Sequence, residues 1–492
     1  MTAPLETDDV AVPGTPVGGV ADDTPTGRTP LVIKLLVTAT FVVILNETIM
    51  INAVPRLMAD FRVDERASQW VVTIFMLTMA AVIPVTGWFL QRVSTRSAYA
   101  VAMVTFCVGT LLGALAPTFE VLLGARAIQA AGTAVMLPLL MTTLMNVVPE
   151  SDRGRVMGNV TLAISVAPAL GPAVSGVLLQ LGSWRLIFAA VLPVAALVGI
   201  AGFRQIPNVG EPQKVPVSWA SVVLAALGFG SLVYGLSRIG TGDWGTPVAI
   251  TAVGAALVVA FAAYQLRLQR SGAPLLDLRT LNHRTYAVAL LLMVAAFMAF
   301  LGSMILLPIY LQDLRGLSPL QTGLLVMPGG LAMGLLGPQV GKAYDRFGSR
   351  PLVIPGAIGT VVAMAALSQV GTETPYVQIL VTHMVLMACL AAIFTPVFTL
   401  GLGALPPELY SHGSSLLGTL QQVAGAVGTA LLVVIMKTRS TVLADSGADP
   451  AAAFVGGLQW AFVAGAVMGV AVVACALFLP ARVASPEGAP VH

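Results

Sequence analysis

Long apolar runs follow one another along nearly the whole chain, from about Leu31 to Pro480. Most are about 20 residues long, the length that a helix needs to cross the hydrocarbon core of a bilayer. Backbone groups in hydrocarbon have no water to bond, so apolar runs of this length are helices. The pattern predicts an all-α polytopic membrane protein with about 14 spans. Their approximate limits are 31–55, 68–90, 97–116, 120–148, 157–179, 186–203, 217–237, 247–267, 285–311, 320–341, 351–370, 375–403, 412–436 and 455–480.

Composition agrees with this prediction and excludes other classes. Of the 492 residues, 57% are hydrophobic and 10% are charged, whereas soluble domains carry about 25% charged residues. No basic patch with interleaved aromatic residues is present, so a nucleic-acid partner is not predicted. The three cysteines, Cys107, Cys389 and Cys475, lie within apolar runs without metal-ligand spacing. We therefore predict no metal site and no cofactor.

The two ends of the chain and the loops predict the topology. Residues 1–30 are rich in Pro, Thr, Gly and Asp, which is typical of a disordered tail and not of a signal peptide. If the N-terminus is cytoplasmic, about 15 basic residues fall on the inside and about 8 on the outside, as the positive-inside rule requires. We predict a multi-pass protein of the plasma membrane with both termini in the cytoplasm.

The chain repeats itself at an offset of 253 to 258 residues. The segment GWFLQRVSTR at 87–96 is matched by GKAYDRFGSR at 341–350, and Pro138 is matched by Pro396. A stable offset predicts two six-helix halves related by a parallel repeat, with the substrate path between them. The seventh and eighth spans then form an insertion between the two halves. The predicted units are a tail at 1–30, a first half at 31–203, a linker with two extra spans at 204–284, a second half at 285–480 and a tail at 481–492.

Several motifs in this order resemble one family. They are LNETIMINAVP at 45–55, the two loop segments, ARAIQAAG at 125–132, and Gly158, Gly171, Pro172 and Gly176 in the fifth span. The chain resembles the major facilitator superfamily and, within it, the fourteen-span drug–proton antiporters of the EmrB/QacA type. It departs from that family's pattern at Asn46 and Gln91, where an acid is usual. The resemblance implies a major facilitator fold, export of small amphipathic or cationic drugs, and exchange for protons.

Glu47 is an acid deep within the first apolar run. Counted from the outer ends of their spans, Glu47 and Arg126 lie roughly 12 Å and 9 Å deep, so the two charges are at similar depth. Ionisable residues inside a membrane are costly, and they pair or face a water-filled cavity. We predict that Glu47 and Arg126 form a proton-coupling site. A static structural pair, or an arginine bonded only to backbone carbonyls, remains the alternative.

Polar and aromatic residues within the spans are candidates for a substrate cavity. An apolar pocket with few polar groups suits bulky amphipathic ligands, and aromatic faces suit cations. His383 could instead be a neutral residue bonded between helices, and any of the aromatic residues could simply be packed. The candidates are Asn46, Trp70, Gln129, Tyr310, Gln312, His383, Phe394 and Gln421.

Small residues and loop charges are candidates for the gates. Small residues at spacing four in the fifth span allow close helix contact, which suits gating against the pseudo-equivalent span of the other half. The resemblance implies that the Asp and Arg of the loop motif latch helix ends across the cytoplasmic gate. The candidates are Arg92, Arg96, Gly171, Pro172, Asp345, Arg346 and Arg350.

The sequence predicts a transporter and not an enzyme. It has no nucleophile elbow, no HExxH segment and no Walker loop, so energy must come from an ion gradient. Halves with Pro- and Gly-broken helices favour alternating access over a fixed pore. We expect a monomer in the lipid bilayer that exports amphipathic or cationic drugs. The alternative is a dedicated exporter of one endogenous metabolite or antibiotic.

Overall fold

A computed structural model describes residues 29–209, 212–213, 216–239, 244–271 and 274–482. The tail predicted at 1–30 lies almost entirely outside these residues, as does most of 481–492. Fourteen helices of the described chain are long and apolar enough to cross a membrane. They are α1 (Leu31–Ile49), α2 (Trp70–Arg92), α3 (Thr95–Leu115), α4 (Phe119–Val147), α5 (Arg153–Leu181), α6 (Arg185–Gln205), α7 (Trp219–Arg238), α8 (Gly245–Leu268), α9 (Arg284–Ile309), α10 (Pro319–Phe347), α11 (Arg350–Leu367), α12 (Tyr376–Gly403), α13 (Tyr410–Asp445) and α14 (Pro450–Leu477).

The predicted all-α fold with fourteen spans is confirmed, and the described residues contain no strand. The largest differences from prediction are at two helix ends. After α1 the chain turns through a 3₁₀ segment, Met50–Ala53, into a short helix, Val54–Phe61. The C-terminal end of α13 lies at Asp445, beyond the end of the apolar run. The division into two halves and a linker stays a prediction.

The two loop segments at 87–96 and 341–350 distinguish one end of the bundle from the other. The motif end is where α2 leads into α3 and α10 leads into α11, so both loop segments lie there. The distal end is the opposite one, where α1 and α9 finish. Alternate helices run in opposite directions between these two ends, so α5 and α13 start at the motif end.

Helix α5 packs against α10 along much of its length. A Cβ on Gly158 would collide with the backbone of Gly337, and one on Gly341 would collide with the backbone of Gly154. Only glycine allows this approach, so Gly154 and Gly158 of α5 form a helix seam with α10. The expected partner was the pseudo-equivalent span, which by the repeat offset is α13. That expectation was wrong, because α5 packs on α10 and, at Gly171, on α1.

The two additional helices lie beside α2 and α13. Helix α8 packs on α7, where Phe229 and Phe261 meet edge to face at 5.9 Å between ring centroids. Helix α7 contacts both α2 and α13. Its Tyr234 stacks on Trp70 of α2 at 5.4 Å. The insertion therefore touches helices from both repeats.

Candidate functional site

Arg126 lies in a fully enclosed pocket on α4, although it carries a charge. Its Nη1 donates to Gln129 Oε1 at 2.6 Å and to Asn46 Oδ1 at 3.3 Å. Its Nε donates to the carbonyl oxygen of Val71 at 3.4 Å. The guanidinium also lies 4.2 Å from the ring centroid of Phe75, a favourable cation–π distance. Helices α1, α2 and α4 thus all contribute to holding this one cation.

The sequence of α4 explains how this pocket is ordered. Gln129 is three residues after Arg126, so both side chains project from the same face of the helix. The amide of Gln129 then donates to Thr110 Oγ1 on α3 at 2.8 Å. Asn46, Arg126 and Gln129 are each at most 1% exposed. A buried polar group is stable only when it is hydrogen-bonded, and this chain of contacts meets that need for Arg126.

Glu47 is adjacent to this pocket but is not part of it. No ion pair within 4.0 Å joins it to Arg126 in the described part of the chain. The two charges are nevertheless close enough to interact electrostatically. Successive residues of a helix point about 100° apart, so Asn46 faces Arg126 while Glu47 projects in another direction. Glu47 is half-buried, whereas Asn46 is fully buried. The acid is therefore left without the arginine as a direct partner.

Helix α1 meets α5 just beyond this site. A Cβ on Gly171 would collide with the side chain of Thr48, so the glycine permits close contact between the helices. Asn52 Nδ2 donates to the carbonyl oxygen of Pro172 at 3.1 Å. A Cβ on Gly323 of α10 would lie 3.1 Å from Pro172. These contacts connect the acid-bearing helix to the α5–α10 seam.

Three cavity candidates lie in the second half, buried within the bundle. Phe394 stacks on Phe297 at 4.8 Å and meets Phe300 edge to face at 5.8 Å. His383 lies with its ring against Gly329 of α10, and its Nδ1 has no hydrogen-bond partner among the described residues. Gln421 Nε2 is likewise buried without a described partner. These two unpartnered atoms are able to hydrogen-bond a ligand.

Three other cavity candidates lie at the distal end. Tyr310 is fully buried, and its hydroxyl donates to the carbonyl oxygen of Gly371 and accepts from Arg315. Trp70 stacks on Tyr234 of the added helix α7. Gln312 lies in the π-helical turn that follows α9.

Asp345 joins two helices at the motif end. It lies in the last turn of α10, and its two carboxylate oxygens accept from the backbone N–H groups of Gly154 at 2.8 Å and Arg155 at 2.7 Å. Those N–H groups begin α5, where a helix leaves its first donors unpaired. A carboxylate is stabilised at a helix N-terminus by the helix dipole. Asp345 therefore fastens the two helices together directly.

The loop arginines make a different kind of contact. Arg96 donates to the carbonyl oxygens of Phe203 and Arg204 at the end of α6. Arg350 donates to the carbonyl oxygen of Leu479 after α14. Both contacts stay within one repeat. Arg92 lies near the ring of Trp88, and Arg346 near that of Phe347. A role for these four arginines in a latch across the gate stays a prediction.

Hydroxyl pairs that the sequence did not single out also join the repeats near the motif end. Thr142 and Ser414 share a hydrogen bond of 2.9 Å, and Thr161 and Thr395 share one of 2.8 Å. Ser415 donates to the carbonyl oxygen of Ile83. Ser and Thr are common in membrane helices, so no sequence signal separated these residues from others. Together with Asp345, they join helices of the two repeats near the motif end.

A bundle of this kind, with a charged pocket in its first repeat, is the architecture of a membrane transporter. The family model for the Major Facilitator Superfamily matches residues 36–429, so the chain belongs to that superfamily. The resemblance to its drug–proton antiporters is confirmed by the relatives, which include resistance proteins.

Three bacterial relatives show how far this similarity extends. A lincomycin resistance protein, LmrB, of Listeria monocytogenes is 36% identical over 92% of this chain and 96% of its own. An uncharacterised transporter of this superfamily, YhcA of Bacillus subtilis, is 37% identical over 85% and 79%. A multidrug resistance protein B homologue of Mycobacterium tuberculosis is 29% identical over 87% and 81%.

A solved structure supports the fold. The human organic anion transporter MFSD10 superposes with a TM-score of 0.65, covering 91% of this chain and 100% of its own at 14% identity. At that identity the match concerns the fold alone. The chain is a multi-pass membrane protein of a transporter family, as predicted.

Proposed function

We propose that the protein is a proton-coupled antiporter that exports amphipathic or cationic small molecules across the plasma membrane. The observation that carries this proposal is the half-buried acid Glu47 beside a buried arginine that it does not pair with. In the described membrane helices, the other acids lie within the first or last turns: Glu120, Asp345 and Asp445. Glu47 is thus the acid placed to carry a proton at depth.

The exchange of substrate for a proton follows from their competition for the carboxylate of Glu47. Arg126 is held by neutral partners, so its charge is not cancelled by an ion pair and acts electrostatically on Glu47. A nearby cation favours the ionised acid, whereas a dry surrounding favours the neutral acid. A change in water access during the cycle therefore binds or releases a proton. A cationic substrate at Glu47 would displace that proton, which couples the two movements in opposite directions.

Closure of the motif end supports an assignment of conformational state. The excess of basic residues in the loops supports a cytoplasmic position for this end. Asp345 and the hydroxyl pairs close it, so we assign the structure to a state closed toward the cytoplasm. In alternating access, the α5–α10 seam would separate at this end to admit substrate. We propose that a single chain, as a monomer in the bilayer, completes the cycle.

The substrate would lie between Glu47 and the second half. Phe394 and its two neighbouring rings offer an apolar wall, and the unpartnered atoms of His383 and Gln421 offer hydrogen bonds. One charge, an apolar wall and few polar groups suit a bulky amphipathic cation. The described membrane helices hold no second acid near mid-depth that would bind the cation and slow its release.

A narrower function is the second candidate. Two relatives differ in what their names say: one is a lincomycin resistance protein and one a multidrug resistance protein homologue. A dedicated exporter of one antibiotic or metabolite would use the same proton site with a tighter cavity. Growth inhibition of cells with and without the expressed protein, across a panel of cationic and neutral antibiotics, distinguishes the two. Protection against a single compound would favour the narrow function.

Glu47→Gln tests the central claim, because it removes the titrating group and nearly preserves its shape. We expect the variant to insert and fold but to lose substrate-induced proton movement in proteoliposomes. Glu47→Asp should keep part of the activity, since the charge survives and only its reach is shortened. Proton movement of normal size in the Gln variant would refute the assignment.

A further inference from the structure

The two hydroxyl pairs that join the repeats differ in depth. Thr142 of α4 bonds Ser414 of α13, and Thr161 of α5 bonds Thr395 of α12. At the repeat offset α4 corresponds to α12 and α5 to α13, so the two pairs join equivalent helices. Ser414 is four residues, roughly 6 Å, from the motif-end start of α13, whereas Thr161 is eight residues, roughly 12 Å, from that of α5. The Thr161–Thr395 pair is therefore the deeper one.

The deeper pair also depends more on its own hydrogen bond. Thr161 is 5% exposed and Thr395 is fully buried, and neither hydroxyl makes another hydrogen bond within the part of the chain that the structure describes. Ser414, in contrast, also donates to the carbonyl oxygen of Ser411 at 3.0 Å, and Thr142 is only half-buried. Loss of one hydroxyl from the deeper pair would leave a buried polar group unsatisfied, which is the costly case.

The deeper pair lies on the motif-end side of the proposed substrate cavity. Phe394, whose ring belongs to the apolar wall, is the residue before Thr395. His383 is twelve residues before Thr395 on α12 and so lies further toward the distal end. On the other helix, a Cβ on Gly337 would lie 3.3 Å from the Cβ of Thr161, so the α5–α10 seam fixes this threonine. The pair therefore forms part of the cavity floor.

A proline next to the pair gives α12 a place to bend. Pro396 follows Thr395 directly, and a proline removes one hydrogen bond from its helix. Its repeat equivalent, Pro138, lies at the other hydroxyl pair, because Ser414 Oγ is 3.4 Å from the carbonyl oxygen of Pro138. Sharp helix bends occur mainly at such residues. Both contacts between the repeats thus lie where the motif-end segments of α4 and α12 can tilt most easily.

We propose that Thr161 and Thr395 form a hydroxyl gate at the cavity floor: their hydrogen bond joins the repeats in the closed state, and water replaces it when they part. A hydroxyl pair suits this task because its bond is exchanged for bonds to water at little net cost. Two apolar side chains at the same place would close as well but would resist opening, since separation would expose them to water. The role in transport rests on the proposed function, whereas the gate is measurable without substrate.

Removing one hydroxyl and removing both should have opposite effects. Valine nearly keeps the shape of threonine, so Thr161→Val or Thr395→Val leaves the other hydroxyl buried without a partner in the closed state. Each single variant should raise the population that is open at the motif end about three- to tenfold. The double variant leaves no unpaired group and should return that population to the parental level or below. Distances between spin labels at the motif ends of α4 and α12 report these populations in the full-length protein.

Thr360→Val is the matched control for these substitutions. Thr360 is also fully buried, but its hydroxyl donates to the carbonyl oxygen of Gly356 on its own helix, α11. Size-exclusion profiles identify a variant that does not fold, and the other single variant then carries the comparison with the double variant. Single variants no more open than Thr360→Val, or a double variant at least as open as the more open single variant, would overturn the proposal.

Transport kinetics test whether the hydroxyls ease opening. The double variant should carry tetraphenylphosphonium, a lipophilic cation, about three- to tenfold more slowly than the parent in proteoliposomes. Its ratio of protons to cations should be unchanged, because Glu47 is intact. A pair that served packing alone would leave the parental rate, and that result would overturn the gate. Absence of tetraphenylphosphonium transport or proton coupling in the parent would contradict the proposed function alone, because the distance measurements decide the gate without substrate.

Discussion

At the residue scale, the order of Asn46 and Glu47 is the most informative detail. The family that the chain resembles usually has an acid at the first of these positions. Here Asn46 fills that position and accepts from Arg126 at 3.3 Å, while the acid is displaced to the next residue and to another direction on the helix. The carboxylate that would pair with Arg126 therefore lies one residue further along α1, at Glu47.

Moving the acid from position 47 to position 46 should partly restore the proton-coupled transport that Glu47→Gln loses. In the double variant Asn46→Asp/Glu47→Gln, the carboxylate would face Arg126 Nη1 directly, and the ion pair would keep it ionised over a wider pH range. We expect proton-coupled transport well above that of Glu47→Gln but below that of the parent, with the activity extending to lower pH. The measurement is substrate-induced proton movement in proteoliposomes across a pH series. A double variant as inactive as Glu47→Gln would show that the direction of the acid, and not its depth, is essential.

The partners of Arg126 show where sequence reasoning stopped. Depth along the spans indicated that residues near 47 and 126 lie at the same level, and the structure brings Asn46 to Arg126. Depth along the span could not indicate which residue on α1 faces the arginine. The helix is apolar on every side, so its sequence pattern does not mark an inward face. The ring of Phe75 was unpredictable for the same reason.

At the element scale, the spans were predictable because bilayer thickness sets their length and composition marks them. Their partners were not. The small residues of α5 predicted close packing, but small residues also line ordinary membrane contacts, so only coordinates distinguish α10 from α13 as the partner. The linker was harder still: Gln265 of α8 accepts from the backbone N–H groups of Leu275 and Leu276, and it matches no motif.

The α5–α10 seam predicts the effect of a single methyl group. Gly158→Ala would drive a Cβ into the backbone of Gly337, and backbone cannot move aside as a flexible side chain can. Overpacking of this kind costs about 1–3 kcal/mol, so we expect a lower melting temperature and a faster reaction of cysteines placed across the seam. The control is Gly230→Ala on α7, where a Cβ would meet nothing within 4 Å. Equal behaviour of the two variants would mean that the helices separate without cost.

At the scale of the whole molecule, the closures at the motif end set the balance between states. The α5–α10 closure has a carboxylate from its loop motif, whereas the α2–α13 closure has an amide at Gln91. A bias of 1.4 kcal/mol changes a two-state ratio about tenfold. Small charge changes at either closure should therefore shift the whole bundle.

Asp345→Asn and Gln91→Asp should change that balance by unequal amounts. Asp345 accepts hydrogen bonds from two backbone N–H groups. A bond to a charged acceptor contributes about 1.5–3 kcal/mol. Loss of the carboxylate should therefore raise the population that is open at the motif end about tenfold or more. Gln91→Asp would add a carboxylate near the start of α13, worth about 0.3–1 kcal/mol at an exposed site, but would lose the amide that donates to Glu408. Its net effect should therefore be small. Spin-label distances across the motif end, with and without a membrane-permeant cationic substrate, report the populations. If Asp345→Asn leaves them unchanged, the two hydrogen bonds at the start of α5 do not hold the gate, and closure must rest on the glycine seam and the hydroxyl pairs alone.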